Sequence, residues 1–299
     1  MRERRRAMLR SYLSLTKPSI CLLVLITGAA ALVWEGSFTR EPLHFLMVMV
    51  GLFSTAGCAN ALNQYLERDR DALMKRTAKR RPLPTGQITP QSALVFAVTT
   101  GVLGVGIFAA WFNAFSALLA LATILFYAFF YTLYLKPRTA QNIVIGGAAG
   151  AMGPVIAWAA ATDLQGMTWV PWVMFGIIFL WTPPHFWALA LCLQEDYKAN
   201  PLPMMPNVAG EKSTLRQMVV YTVALIAISL SLVWAQAGMI YMVTALVTGG
   251  LFLWKAVLSL QQRETRQYWG LFGYSIVYLF VLFGAMMVDV MLRFPVVRG

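Results

Sequence analysis

The sequence is short of charge, of histidine and of cysteine. Only 12% of its 299 residues are Asp, Glu, Lys or Arg, whereas 59% are hydrophobic. A soluble domain normally carries about 25% charged residues, so the composition excludes an ordinary soluble enzyme. A mean hydropathy of +0.65 instead indicates a polytopic membrane protein that is surrounded by the lipid bilayer.

The scarce cysteines and histidines limit the kinds of site that the chain can build. Cys21, Cys58 and Cys192 stand singly inside apolar segments, and no Cys-x-x-Cys pair occurs. The pattern therefore supports neither a disulfide framework nor a zinc site. Of the 2 histidines, His44 lies near the end of an apolar segment. His185 falls inside one, where a polar side chain is costly and therefore a candidate for function.

Long hydrophobic runs make up most of the chain. Nine apolar segments are each close to the roughly 20 residues that a helix needs to cross a bilayer. They span approximately 19–37, 43–65, 91–111, 115–135, 141–161, 169–192, 216–236, 239–260 and 270–292. Little chain is left over, so we expect one all-α membrane domain over 1–299, with a basic cytoplasmic segment at 1–17.

The formal net charge of +12 is distributed unevenly. If the N-terminus is cytoplasmic, every Lys and Arg except Arg40, Arg293 and Arg298 falls on the cytoplasmic side of the nine segments. The positive-inside rule explains this bias, so the charge gives no reason to expect a nucleic acid partner. It predicts a protein of the cell's inner membrane with a cytoplasmic N-terminus and an external C-terminus.

An acidic and amide-rich stretch stands where the second apolar segment ends. Asn63, Glu67 and Asp71 are spaced i, i+4 and i+8, which puts them on one face of a helix. Asn60 extends that face. Mg²⁺ takes carboxylate and amide oxygens and usually keeps waters or substrate phosphates as further ligands. The pattern predicts a divalent-metal site at the mouth of a membrane helix.

Cations follow this stretch directly. They are Lys75, Arg76, Lys79, Arg80 and Arg81. Carboxylates that hold a metal, beside cations that hold phosphate, indicate a diphosphate-binding site. The two long inner connections, at 67–90 and 194–215, both follow acidic helix ends on the same side of the membrane. Long connections are often functional, so we expect them to cap a cavity at the cytoplasmic face.

A second polar cluster lies along and beyond the sixth apolar segment. Trp181, His185, Cys192 and Asp196 share a face if the helix continues beyond Cys192. Asp196 then either completes a two-motif metal site or is a solvated carboxylate at a helix end. His185 follows Pro183-Pro184, so it is either a functional group at membrane depth or the partner of a backbone carbonyl that the prolines leave free.

A set of motifs extends over most of the chain. The pattern Asn-Asp-x-x-Asp-x-x-x-Asp is matched by Asn63, Glu67 and Asp71, with Gln64 in place of the first Asp and Glu67 in place of the second. Further motifs are Leu15-Thr16-Lys17-Pro18, Met74-x-Arg76-Thr77, Arg81-Pro82-Leu83, Tyr131-Thr132-x-x-Leu135-Lys136, Asn142-Ile143-Val144-Ile145-Gly146-Gly147, Pro184-His185-Phe186-Trp187 and Asp196-Tyr197. On these motifs the chain resembles the UbiA superfamily of membrane prenyltransferases, and within it the branch of protoheme IX farnesyltransferases.

This resemblance implies nine helices around a central cavity. It also implies transfer of a farnesyl group from farnesyl diphosphate to a vinyl group of protoheme IX (heme B), which gives heme O. The implied cofactor is Mg²⁺, held by Asn63, Glu67, Asp71 and Asp196, and Lys198 joins these four in the implied catalytic set. Asn200 stands where other branches carry a further Asp.

The remaining candidate site residues follow from this implied chemistry. The implied cations of the diphosphate site are Lys75, Arg76, Arg80, Arg81, Lys136 and Arg138. The implied heme contact is His185, as iron ligand or as a group near the propionates. The aromatic residues of the site either stabilise an allylic cation with their ring faces or only pack along the path of the isoprenoid chain; they are Tyr127, Tyr131, Tyr134 and Trp181. A heme A synthase or a terminal oxidase assembly is a further partner that the resemblance suggests.

Two other functions remain open from the residues. One is a prenyltransferase of the same superfamily that acts on an aromatic acceptor, such as 4-hydroxybenzoate or a quinone precursor. The other is an ion-coupled transporter, since transporters use intramembrane acids and broken helices. His185 beside Phe186-Trp187 and the Gln64 substitution favour heme, and the position of both acidic clusters at one face, away from the midplane, favours an enzyme.

Overall fold

The helices of the computed structural model follow the apolar segments of the sequence. The structure describes residues 2–194 and 202–293, apart from the side chains of 2–5, 75 and 76. Within these ranges 9 helices are long and apolar enough to cross a membrane, and no residue belongs to a strand. The prediction of an all-α protein with nine transmembrane helices is confirmed.

A short helix precedes the membrane helices. It is α1, Arg2–Thr16. The nine membrane helices are α2 Pro18–Glu35, α3 Pro42–Leu66, α6 Pro90–Phe112, α7 Ala114–Leu135, α8 Asn142–Thr162, α9 Val170–Cys192, α11 Glu211–Ala235, α12 Met239–Gln262 and α13 Thr265–Arg293. Between them lie α4 Arg68–Leu73, α5 Lys75–Ala78 and α10 Met205–Ala209.

Two membrane helices begin earlier than their apolar segments predict. α11 starts at Glu211 and α13 at Thr265, each more than one turn before the predicted boundary. The first turn of a membrane helix tolerates polar residues, and the positive end of the helix dipole stabilises acidic side chains there. Hydrophobicity therefore gave the membrane-embedded part of each helix and missed its polar start.

Side-chain caps set the ends of the tightly connected helices. The Thr89 hydroxyl accepts a hydrogen bond from the Ser92 N–H at 3.2 Å, and Pro90 occupies the first turn of α6. The Asn113 side chain accepts from the Ser116 N–H at 2.8 Å at the start of α7. Such caps satisfy backbone donors that a helix start leaves unpaired. Asn113 can therefore cap α7 and also be the one residue that joins α6 to α7.

The membrane helices form a ring with an open centre. α2 packs against α3 and α13, and the ring continues from α3 through α7, α8 and α9 back to α13. α6 lies outside α3, whereas α11 and α12 lie outside α9 and α13. The second half of α8 packs on α2. The centre is lined by residues from the end of α3 that carries Glu67 and from the connection that follows it.

Candidate active site

A cavity of ≈ 640 Å³ occupies the centre of the ring. It is lined by side chains of α2, α3, α7, α8, α9 and α13 and by the connection after α3. Its charged and amide lining residues are Lys17, Asn60, Asn63, Glu67, Asp71, Arg81, Lys136 and Asn142. We call the end of the cavity formed by Lys17, Asn63, Glu67, Asp71, Arg81 and Lys136 the mouth.

The Asn63 side chain is held in one orientation. Its Nδ2 donates a hydrogen bond to Thr132 Oγ1 at 3.1 Å, and the Thr132 hydroxyl donates to the Tyr127 carbonyl at 2.8 Å. Lys17 Nζ donates to Asn63 Oδ1 at 2.9 Å. The amide nitrogen is thus committed to α7, which leaves the amide oxygen on the side of the cationic mouth.

Glu67 and Asp71 reach the mouth by a different route from the one predicted. α3 ends at Leu66, Glu67 forms its C-cap, and α4 begins at Arg68, so Asn63, Glu67 and Asp71 do not lie on one continuous helix. Both carboxylates nevertheless line the cavity, and each residue is only 4% exposed. The Glu67 N–H donates to the Asn63 carbonyl at 3.0 Å and the Asp71 N–H to the Glu67 carbonyl at 2.8 Å, so helical spacing continues across the break and keeps the acids together.

Each buried carboxylate is paired with a cation from another segment. Lys136, which follows α7, pairs with Glu67. Arg81, from the connection between α5 and α6, pairs with Asp71 and lies 4.0 Å from Glu67. Burying a charge is costly unless it is paired, so these pairs let the mouth hold two acids and two cations in a poorly hydrated place.

The charges of the mouth shift one another's pKa values. Burial raises the pKa of Glu67, but Lys136, with help from Lys17 and Arg81, outweighs it, so the net pKa is lowered. For Asp71, burial and the nearby Glu67 charge outweigh Arg81, so the pKa is raised. Burial, together with Arg81 and Lys136, lowers the pKa of Lys17 to about 7. The site therefore disfavours the charged form of Lys17.

The oxygen atoms of the mouth suit a hard divalent cation. Among the described residues, no group of three or more His, Cys, Asp or Glu side chains comes together. Two carboxylates and one amide oxygen are available, from Glu67, Asp71 and Asn63. Mg²⁺ is usually bound by one or two carboxylates, with substrate phosphates and waters as its other ligands. The donor set therefore fits Mg²⁺ that is bound together with a phosphate-bearing substrate.

Not every predicted cation lines the cavity. Arg138 is exposed and donates to the carbonyls of Leu133 and Tyr134 at 3.2 Å, with its guanidinium 4.6 Å from the Tyr134 ring centroid. It caps the end of α7, where a cation is favoured by the helix dipole. Arg80 is also exposed and is absent from the cavity lining, unlike its neighbour Arg81.

Several predicted residues cannot be assigned a contact. The backbones of Lys75 and Arg76 lie in α5, but their side chains lie outside the description. Asp196 and Lys198 fall outside the described residues altogether. Their predicted roles in metal and diphosphate binding stay predictions.

His185 lies deeper in the cavity than the acids. It stands about two helical turns inside the end of α9 and is 8% exposed. Its Nδ1 is 2.7 Å from Ser275 Oγ on α13, and its ring stacks on Trp181 with centroids 4.2 Å apart. The alternative in which His185 bonds a carbonyl freed by the prolines is wrong, because its hydrogen-bond partner is a serine of another helix.

The wall between the mouth and His185 is aromatic and small-residue surface. Tyr127 and Tyr131 line it with ring centroids 5.1 Å apart, whereas Tyr134 is exposed away from the cavity. A Cβ at Gly146 would lie 2.2 Å from the Tyr131 ring, and one at Gly150 would meet open space. Glycine thus lets α8 approach α7 at one point and widens the cavity at another.

Three residues of the site were not predicted as site residues. Lys17 precedes Pro18 and has φ 52°, a left-handed conformation that is costly outside glycine and typical of constrained sites. Thr132 orients Asn63, and Ser275 orients His185. The position of Lys17 directly before the first membrane helix could have predicted a site residue. The sequence gives no such sign for Thr132 or Ser275, because a single Thr or Ser in an apolar helix usually bonds its own backbone.

Gln64 and Asn60 also differ from expectation. Gln64 Nε2 donates to the carbonyls of Ser14 at 3.2 Å and Leu15 at 3.0 Å, and Asn60 Nδ2 donates to the Thr16 carbonyl at 3.0 Å. These amides cap the C-terminus of α1, whose carbonyls have no helical partner. The position where the motif has Asp therefore fixes α1 and, through it, Lys17.

A comparison with family models decides the class of protein. The model of the UbiA prenyltransferase family matches residues 22–287. The chain belongs to the UbiA prenyltransferase family. The resemblance predicted from the motifs is confirmed, as is the expectation that the protein is a prenyltransferase.

Curated relatives narrow the branch within the UbiA family. The protoheme IX farnesyltransferases of Symbiobacterium thermophilum and Gloeobacter violaceus are each 46% identical to the chain, over 285 and 290 residues. These matches cover 94% and 95% of this chain, and 94% and 92% of the two relatives. The resemblance to the protoheme IX farnesyltransferase branch is therefore also confirmed.

Solved structures support the fold. Digeranylgeranylglyceryl phosphate synthase has a TM-score of 0.78 at 18% identity, with 95% of this chain and 99% of that chain covered. A UbiA homolog from Archaeoglobus fulgidus bound to DMAPP and Mg²⁺ has a TM-score of 0.60 at 17% identity, with 93% and 99% covered. At such identities the likeness shows the UbiA fold alone.

Proposed function

We propose that this UbiA-family protein transfers the farnesyl group of farnesyl diphosphate to a vinyl group of protoheme IX, with Mg²⁺ as cofactor, and so makes heme O. The observation that supports the proposal is that the same cavity joins a mouth of acids and cations to a deeper aromatic part that holds His185. The protoheme IX farnesyltransferases that match along nearly the whole chain support the identity of both substrates.

The mouth is suited to bind the diphosphate by exchange of partners. Glu67 and Asp71 are engaged by Lys136 and Arg81. A diphosphate that arrives with Mg²⁺ brings both a cation for the carboxylates and oxygens for Lys136 and Arg81. Each charged side chain of the mouth then exchanges one oppositely charged partner for another, so none of them is left buried without a partner. The Archaeoglobus fulgidus homolog that is bound to both DMAPP and Mg²⁺ supports a site that holds a diphosphate and the metal together.

The chemical step requires the allylic C–O bond of the donor to break. Mg²⁺, held by Asn63, Glu67 and Asp71, would neutralise the charge that develops on the leaving diphosphate. Lys17, Lys136 and Arg81 donate hydrogen bonds to the same group, and such fixed charges stabilise a leaving anion most where water is excluded. The predicted roles of Asp196 and Lys198 belong to this step and remain part of the proposal.

The deeper part of the cavity protects and directs the farnesyl cation. Tyr127 and Tyr131 present ring surfaces along its path, and ring faces attract cations. The apolar wall excludes water until the vinyl carbon of the heme has added to the cation. Water then adds to the resulting cation and releases a proton, so the products are heme O, diphosphate and a proton.

The proposal includes an orientation in the membrane. Because the basic residues concentrate at the end that carries the mouth, the positive-inside rule puts this end on the cytoplasmic side of the cell's inner membrane. Nine spans then put the C-terminus outside. A cysteine introduced at Lys79 should react with a membrane-impermeant reagent only when the cytoplasmic face is accessible. Reaction from the outside in intact cells would invert this orientation.

The decisive experiment offers two acceptors to the purified protein. Incubation with heme B, farnesyl diphosphate and Mg²⁺ should convert heme B to heme O by mass spectrometry, and chelation by EDTA should stop the reaction. 4-Hydroxybenzoate in place of heme should stay unmodified. Prenylation of 4-hydroxybenzoate without heme O would favour the aromatic-acceptor alternative, and ion flux in proteoliposomes without any prenyl transfer would favour a transporter.

A further inference from the structure

The His185 ring is fixed on both faces and at one edge. Trp181 stacks on it with centroids 4.2 Å apart at 17°, and Phe272 stacks with centroids 4.7 Å apart at 25°. Nδ1 is 2.7 Å from Ser275 Oγ. Phe186 lies perpendicular to the ring, with centroids 4.9 Å apart at 82°. The ring is therefore oriented by its aromatic neighbours and by the Nδ1 hydrogen bond, which leaves Nε2 as the other ring nitrogen.

The hydrogen bonds of Ser275 identify the tautomer of this ring. The Ser275 hydroxyl has one proton, and it donates that proton to the Phe272 carbonyl of its own helix at 2.6 Å. The proton between Ser275 and His185 must then come from the imidazole, so Nδ1 carries hydrogen. A cationic ring would be costly at this buried position, where no carboxylate of the described residues pairs with it. The arrangement therefore selects the neutral form with a lone pair on Nε2.

Nε2 has no protein partner among the described residues. A lone pair accepts a hydrogen bond or binds a metal, but it cannot donate to a carboxylate. The described cations that line the cavity, Lys17, Arg81 and Lys136, all lie at the mouth. A heme propionate therefore finds no favourable partner at His185, whereas a metal that accepts a nitrogen ligand does.

We infer, on the basis of the proposed function, that His185 Nε2 binds the iron of the porphyrin acceptor and that Ser275 is the positioning residue for this contact. Imidazole is a usual axial ligand of heme iron, and a neutral ring binds iron without releasing a proton. A ligating histidine normally donates its other N–H to a fixed acceptor, which sets the tautomer and the ring orientation. Ser275, held by the Phe272 carbonyl, supplies that acceptor.

The test separates binding of iron from binding of the porphyrin ring. The purified full-length protein is titrated with heme B and with metal-free protoporphyrin IX, and absorption spectra are recorded. The wild type should bind heme B more tightly and shift its Soret band. His185→Gly should lose both the preference and the shift, and millimolar imidazole should restore the shift by filling the vacated position.

Ser275→Ala tests the positioning role. It should weaken heme B binding by about 10- to 100-fold, the usual effect of removing the partner of a ligating histidine, and leave protoporphyrin IX binding unchanged. Ser229→Ala is the matched control, because Ser229 is also a fully buried serine that donates to its own helix, at 2.8 Å to Leu225. Ser229 does not line the cavity, so its variant should bind both porphyrins as the wild type does.

Each outcome decides a different claim. Equal affinity of the wild type for both porphyrins, with the same spectrum in His185→Gly, would overturn iron ligation even if heme O is made. Retention of the wild-type spectrum and heme affinity in Ser275→Ala would overturn the positioning role alone. If the wild type binds farnesyl diphosphate with Mg²⁺ but neither porphyrin, the proposed acceptor and the iron contact both fall.

Discussion

The mouth and the deeper part of the cavity hold their polar groups in different ways. At the mouth, Glu67 and Asp71 are paired with cations that come from distant segments. In the deeper part, His185 has a serine at one edge and aromatic rings on its faces. One region is a set of exchangeable charges, whereas the other is a single oriented side chain.

This difference indicates how the two substrates are kept apart. Charge pairs act over several ångströms and tolerate a change of partner, which suits a diphosphate and a metal that enter and leave. A fixed imidazole acts over one bond length and in one direction, which suits a flat acceptor that must hold one vinyl group towards the donor. We therefore expect substitutions at the mouth to affect the donor and those near His185 to affect the acceptor.

The largest effect should come from removing one carboxylate charge at the mouth. Glu67→Gln keeps the shape of the side chain and an oxygen for Lys136, but it removes the charge that would hold Mg²⁺. Heme O formation should fall by roughly 10²- to 10³-fold, comparable to the loss of one electrostatic contact in other active sites. Turnover is measured by mass spectrometry of the heme, and heme B affinity by absorption should not change.

Glu264→Gln is the control for this change. Glu264 is exposed between α12 and α13, so its substitution removes the same charge without touching the cavity. Its turnover should match the wild type. A Glu67→Gln protein that makes heme O at the normal rate in the presence of EDTA would show that the mouth is not a metal site.

An intermediate effect should distinguish neighbouring cations. Lys136→Met should weaken binding of a non-hydrolysable farnesyl diphosphate analogue by about 10- to 100-fold, since a charged hydrogen bond contributes about 1.5–3 kcal/mol and each 1.4 kcal/mol is roughly tenfold. Arg138→Met, two residues away, should have little effect because Arg138 caps α7. Calorimetry with Mg²⁺ present measures both.

Arg81 and Arg80 form a second matched pair. Arg81 lines the cavity and pairs with Asp71, whereas Arg80 is exposed. Arg81→Met should therefore weaken binding of the farnesyl diphosphate analogue, and Arg80→Met should not. Similar losses in both members of a pair would mean that the diphosphate responds to general positive charge and not to the contacts of the mouth.

The sequence predicted the parts of this comparison that depend on composition or on local spacing. Long apolar runs give nine membrane helices because only a helix satisfies its own backbone in lipid. Asn63, Glu67 and Asp71 lie close together in the chain, so their gathering at one mouth needed no knowledge of the tertiary structure. The branch of the family followed from motifs and not from physical pattern.

The contacts between distant segments could not be predicted. Arg81 and Arg80 are adjacent and chemically identical, and only the path of the connection after α5 decides which one enters the cavity. Ser275 is one of many small polar residues in apolar helices, and its role depends on the packing of α13 against α9. The helix through this stretch is interrupted at Glu67, but backbone hydrogen bonds from Glu67 to Asn63 and from Asp71 to Glu67 keep the spacing that the sequence predicts.

The smallest expected effect is a pH dependence that belongs to the mouth alone. The pKa of Lys17 is lowered from 10.5 to about 7, mainly by burial and then by Arg81. Between these two values the unfolded chain binds more protons at this position than the folded one, so stability rises as pH increases from about 7 towards 10.5 and is lowest below 7. In metal-free protein, the Tm should therefore rise over this range.

Two variants test whether this pH dependence belongs to the mouth and not to the deeper part of the cavity. Lys17→Met removes the titrating group, so its Tm should change less with pH than that of the wild type. Ser275→Ala alters the deeper part and should keep the wild-type slope, because it changes no charge. Thermal unfolding in detergent from pH 7 to pH 10, followed by tryptophan fluorescence, measures all three proteins. A wild-type slope in Lys17→Met would mean that Lys17 is not the group that titrates. A flattened slope in Ser275→Ala would mean that the two parts of the cavity are coupled and not independent as their contacts indicate.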